Sequence, residues 1–133
     1  MIINGNKERY AEATLLFGSY YDTWGDKLIS MLHDNVPVYD PSRYGRDERK
    51  SCQEVCRTLV FVITPEGMCT RSGFYIGTMC QQNPARFILC KYGDCFTRDQ
   101  MNDIGIMADA IEEMGGTFCN SLEEVAALLN AAY

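Results

Sequence analysis

The chain has 133 residues, 47% of them hydrophobic and 23% charged, which suits one domain with one core. Its formal charge of −6 disfavours a nucleic-acid backbone as partner, while leaving room for a local basic pocket that takes a small anion. No apolar run approaches the ~20 residues of a membrane span, and the start, MIINGNKERYAEA, lacks signal-peptide architecture.

Ala13 to Phe17 reads as a first strand that ends in a turn at Gly18-Ser19. Thr23-x-x-Asp26 has capping-box form, and Trp24, Leu28, Met31 and Leu32 follow at helical spacing, so a helix is expected to about His33. Trp24 fits the core stripe of that helix. Val36 to Tyr39 is a short strand whose early proline suits a sheet edge. A loop from Asp40 to Gly45 and a polar helix from Arg46 to Arg57 come next.

Leu59-Val60-Phe61-Val62-Ile63 is too uniformly apolar for a one-sided strand and reads as buried on both faces. Thr64-Pro65 ends it, a loop runs from Glu66 to Arg71, and Ser72-Gly73 leads into a helix from Phe74 to Gln82 that Asn83-Pro84 stops. Phe87 to Cys90 is a fourth strand, with a loop from Lys91 to Thr97. Ile104, Met107, Ala108, Ile111 and Met114 mark the next helix, and Gly115-Gly116 ends it. Thr117 to Cys119 is a fifth strand. Ser121-x-x-Glu124 is a second capping box, opening a helix with Leu122, Val125, Leu128 and Leu129 on one stripe.

This alternation predicts a parallel sheet with helices on both faces. Five strands at this length point to a flavodoxin-like three-layer α/β sandwich of order 2-1-3-4-5, residues 1–133 forming one domain. The crevice would lie at the carboxyl ends of the strands. It would be lined by the loops after strands one to four. Gly18, Ser19 and Tyr20 follow strand one, and Asp40 follows strand two. Arg71, Ser72 and Gly73 stand where a helix start could favour a phosphate or carboxylate. A solvated arginine, a capping serine and an Asx turn at Asp40-Pro41 are the plainer readings of the same residues.

Seven cysteines, Cys52, Cys56, Cys69, Cys80, Cys90, Cys95 and Cys119, read as reduced thiols of a cytoplasmic protein. Cys52 and Cys56 lack a second pair at ligand spacing, and His33 is the sole histidine. No metal or cofactor is therefore expected. Neither a P-loop nor a GxGxxG fingerprint is present.

The segments LFGSYYDTWGDKLISML, PVYD, VFVITPEG, FILC and GGTFCNSLEEVAALLN resemble, in order and spacing, the nucleoside 2-deoxyribosyltransferase-like family of small phage and bacterial proteins. The resemblance runs from about Leu15 to Asn130. It implies binding of a nucleoside or nucleotide and transfer or hydrolysis of its N-glycosidic bond, with a glutamate nucleophile near the start of the third helix and an aspartate, matched by Asp40, holding the base. Tyr75 stands at the glutamate's position in an ungapped match, and Thr78 with one gap. Tyr75 and the loop residue Glu66 are therefore the candidate catalytic groups. Ser72, with Arg71, matches a phosphate-binding serine of a related hydrolase. The resemblance further implies a homo-oligomer. Two alternatives remain on the same scaffold: an inactive nucleotide binder, or a phage protein that binds a host partner through Tyr20-Tyr21 and Arg43-Tyr44.

Overall fold

A computed structural model describes residues 11–39 and 53–133. Asp40, Arg43-Tyr44, Cys52 and most of the expected Arg46 to Arg57 helix lie outside them. Helical residues 53–55 close that crossover, and Cys56 and Arg57 are already past its end.

The strands are β1 (Thr14–Phe17), β2 (Val38–Tyr39), β3 (Thr58–Ile63), β4 (Phe87–Lys91) and β5 (Thr117–Cys119). All pair in parallel, in the order β2-β1-β3-β4-β5. The helices are α1 (Tyr21–Ser30), α2 (Thr70–Gln82), α3 (Arg98–Glu113) and α4 (Leu122–Ala132). The flavodoxin-like α/β order is thus the one expected.

Alternation along each strand sorts the core into two layers. Leu15, Leu59, Phe61, Ile63, Phe87 and Leu89 point to the side that holds Ile76 and Met79 of α2 and Ile111 of α3. Leu16, Val60, Val62, Ile88 and Cys90 point to the other side, against Trp24 and Leu28 of α1 and Leu122, Val125 and Leu129 of α4. A strand covered on both faces needs no polar alternation, which is why β3 is apolar throughout.

Local chemistry moves several boundaries. Helix α1 begins at Tyr21 behind Tyr20, which adopts a left-handed φ of 57°. Thr23 is not the cap, because its hydroxyl lies inside the first turn and donates back to the Tyr20 carbonyl at 2.7 Å. The helix stops at Ser30, short of His33, because Asn130 of α4 takes both ends of the following turn: its amide donates to the Met31 carbonyl and its Oδ1 accepts from the His33 N–H.

Helix α2 starts four residues before Phe74, at Thr70, with Cys69 as its N-cap and Ser72 at the third helical position. Before α3, Thr97 and Gln100 form a reciprocal capping box. Ser121 caps α4 as expected, accepting from the Glu124 N–H at 3.2 Å, but the Glu124 carboxylate reaches one residue further back, to the Asn120 N–H.

The chain's last residues are tied to the amino end of the sheet. The Tyr133 hydroxyl pairs with the buried Thr14 hydroxyl at 3.0 Å, and Arg57 lies over the Tyr133 ring and donates to the Ala132 carbonyl. Among the described residues, no helix is long and apolar enough to cross a membrane.

Candidate functional site

The order β2-β1-β3 places a topological switch point between β1 and β3, where the connections leave toward opposite edges of the sheet. The loops that leave these two strands interlock. Gly18 has a φ of 142°, and a Cβ on it would lie 2.2 Å from the Val62 carbonyl oxygen. Only glycine lets the two backbones run this close. Ser19 then sits against the next loop: a Cβ on Gly67 would fall 2.8 Å from the Ser19 Cβ and 3.0 Å from the Thr64 Oγ1.

Both loops are held from behind. The fully buried Trp24 donates its indole N–H to the Ser19 carbonyl at 3.1 Å. Its ring meets Tyr21 edge to face, with centroids 4.9 Å apart. The buried Thr64 hydroxyl accepts from the Gly67 N–H at 3.1 Å and closes the turn after β3. The loop after β4 joins the same ridge, because a Cβ on Gly93 would stand 3.0 Å from the Pro65 ring. Gln100 of α3 also donates to the Pro65 carbonyl at 2.9 Å. Three of the four expected loops therefore meet at the carboxyl edge of the sheet. The fourth begins at Asp40, outside the described residues.

The amino end of α2 opens beside these loops. Ser72 is buried, and its hydroxyl is used within the cap: it donates to the Cys69 carbonyl at 2.9 Å and accepts from the Cys69 N–H at 3.0 Å. The Ser72 N–H points at the Cys69 sulfur. The helix start thus directs its donors at a thiol. That thiol is exposed. The hydrogen bond from the Ser72 N–H is the main influence that holds it below the ordinary thiol range, and the adjacent Ser72 side chain, then the Arg71 N–H and charge, add to this.

Sequence reasoning read Cys69 only as one of seven reduced thiols and gave it no part in the site. The cap went unseen because cysteine is not counted among capping residues. The available signal was the placement of a cysteine one turn before an apolar helix and two residues from an arginine.

A cleft of about 480 Å³ extends from this point between α2 and α3, with Met68, Cys69, Ser72, Gly73, Asp103 and Ile106 among its lining residues. The expected site residues are therefore split around the start of α2. Gly18 and Ser19 face the β1–β3 loops, while Ser72 and Gly73 border the cleft toward α3. Tyr20 is half-exposed beside Ser19, and Arg71 is exposed in the first turn of α2. Glu66 is exposed in the loop after β3. Tyr75 lies half-exposed on the outer side of α2, next to the inward-facing Ile76.

No protein-family model, curated protein or solved structure matches the chain.

Proposed function

We propose that the chain binds a nucleoside or nucleotide at the carboxyl edge of the sheet, between the β1 and β3 loops and the start of α2. The observation that carries this reading is the contact of Ser19 with Gly67 beside the amino end of α2. It sets a close-approach backbone and a hydroxyl against the loop that leads into the helix-start donors of α2, at the switch point. Gly18 and Ser19 lie along the sugar, Tyr20 offers a ring for stacking, and Asp40 takes the base. Arg71 and the first turn of α2 take a phosphate if the ligand carries one. A phosphate on those N–H groups competes with the Cys69 sulfur that they now face.

The reaction implied by the resemblance is displacement of the base at the anomeric carbon, through a covalent intermediate or directly by water. Tyr75 and Glu66 are the groups available for it. Each lacks a hydrogen-bonding or ion-pairing partner among the described residues that would orient it. This favours the second reading, binding without turnover.

The test uses the purified chain with the four deoxynucleosides and their 5′-monophosphates. A melting shift from one of them, together with slowed alkylation of Cys69 by the phosphorylated form, is expected. A ligand at 100 times its dissociation constant adds about 2.7 kcal/mol. Chromatography for free base separates the two readings: release that is lost in Asp40→Ala is turnover, and a shift without release is binding alone. No shift and no protection with any of the eight compounds would overturn the proposal.

A further inference from the structure

We infer that the edge of α3 bordering the α2–α3 cleft is a docking strip for a basic, amphipathic helical segment of a partner protein. The inference does not depend on the ligand reading.

The strip is written in the spacing of α3. Asp99, Asp103, Ile106, Ala110 and Glu113 follow one another at intervals of four, three, four and three residues. On an α-helix that spacing sets side chains in one row. All five are exposed, while Ile104 and Ile111, which serve the core, fall on the far side of the helix and are buried. Arg98, the one base of α3, falls in the neighbouring row with Asn102, Gly105 and Asp109. The row therefore holds three acids, no base and one large apolar side chain, Ile106, which is 69% exposed.

This row runs beside an apolar opening. Asp103 and Ile106 both line the cleft of about 480 Å³, together with Ile63, Met68 and Met107. Ile63 belongs to the core, and Met68 and Met107 pack against it. On the α2 wall stands Gly73, where a Cβ would meet nothing within 4 Å, so that wall leaves the entrance open. A single exposed isoleucine is ordinary. One that extends the apolar lining of a cleft marks an interaction surface.

Charge selects the occupant. Helix α3 has Arg98 against Asp99, Asp103, Asp109, Glu112 and Glu113, one positive and five negative charges, a net of −4. A nucleic acid or an anionic membrane is repelled there. A second copy does not supply the complement, because none of α1 to α4 carries more than one basic residue. A helix with apolar side chains on one face and lysine or arginine at both ends does. Asp103 and Glu113 are ten residues apart, or about 15 Å along an α-helix. A partner helix lying alongside meets both acids with bases about ten residues apart, and between them its apolar side chains reach Ile106 and the cleft. The apolar contact supplies affinity, and the acids supply orientation and choice of partner.

The probe is a fluorescein-labelled synthetic helix of about 15 residues, with leucines on one face and lysines at both ends, titrated with the full chain and read by anisotropy. A dissociation constant on the order of 10 μM is expected, rising with added salt as the charges are screened. Ile106→Ser should weaken binding about tenfold, and Asp103→Asn with Glu113→Gln by a similar factor with a flatter salt dependence. Asp109→Asn with Glu112→Gln removes the same charge from other rows of α3 and should change binding less than about twofold. These side chains are exposed, so circular dichroism should show all variants folded. No binding at 1 mM protein, binding unmoved by Ile106→Ser, equal loss in the two charge pairs, or equal binding of a peptide with glutamates in place of its lysines would each overturn the inference. So would self-association of the chain in sedimentation equilibrium that Ile106→Ser abolishes, which would give the strip to a second copy.

Discussion

The backbone of Gly18 lies directly against the carbonyl of Val62, so that a side chain at residue 18 would overlap that oxygen, 2.2 Å away. The φ of 142° at Gly18 is itself closed to most residues. Gly18→Ala therefore meets two penalties, backbone strain and overpacking, each of about 1–3 kcal/mol. Urea unfolding of the variant should show a loss of roughly 2–6 kcal/mol on that basis. A loss under half a kcal/mol would show that the β1 loop can lift away from β3 without cost, and the crevice would then lack its rigid wall.

Trp24 holds the same loop from the core side. Trp24→Phe keeps most of the apolar volume and removes the donor to the Ser19 carbonyl. The expected destabilisation is about 1–3 kcal/mol, the range for leaving a polar group without its partner. Since this removes the chain's single tryptophan, circular dichroism in urea is the appropriate readout. Ligand-induced stabilisation should fall as well, because Ser19 would no longer be fixed beside Gly67.

Cys69 should react faster than the buried thiols of Cys80, Cys90 and Cys119. Its lowered pKa leaves more thiolate at neutral pH, whereas burial pushes the Cys80 thiol up and drives those of Cys90 and Cys119 to about 12 and about 11. Alkylation at pH 7 followed by peptide mass mapping should label Cys69 about tenfold faster or more than those three. Ser72→Ala removes the hydroxyl that supports the cap. The labelling rate at Cys69 should drop in that variant, and stability should fall by about 0.5–2 kcal/mol. Equal labelling of Cys69 in both proteins would mean that the cap does not tune the thiol.

The buried pair makes a separate claim about alkaline pH. Cys90 and Cys119 are register partners on β4 and β5, and desolvation is the main cause of both raised values, with their mutual repulsion adding to that of Cys90. In the unfolded chain a thiol loses its proton near ~8.5. Above that pH the folded state holds more protons than the unfolded one, so stability is complete below about 8.5 and declines as pH rises toward the folded values. Thermal melts from pH 7 to 10.5 should show this decline, and Cys90→Val should flatten it. A decline of the same slope in the variant would assign the effect to other groups.

Sequence reading was strongest where burial left a simple signature. The continuous apolar runs of β3 and β4, the spaced aliphatics of α3 and the glycines after it located those elements within a few residues. It was weakest where a tertiary partner decides a boundary. Asn130 stops α1 from the far end of the chain, and Thr23 looked like a cap only because the left-handed Tyr20 could not be foreseen. The Thr97-x-x-Gln100 box was in plain view and fits the same pattern as the two boxes that were read. At the candidate site, the glycine turn of β1 and the β3 loop were legible. Ser72 was read as a capping serine among the plainer alternatives, but its place at the third helical position, bonded back to Cys69 as the N-cap, was not legible, because that depends on where the first turn of α2 begins.

The docking of Tyr133 onto Thr14 has a practical consequence for experiments on this protein. Thr14 opens β1, so the last residue sits at the opposite pole of the sheet from the crevice. A tether, dye or affinity handle added after Tyr133 would leave the crevice pointing away from any support, giving uniformly oriented molecules with the ligand-facing end free. A short flexible spacer is the sensible junction, because the Tyr133 carbonyl already accepts from Asn35 at 3.0 Å and a rigid attachment would pull on that bond.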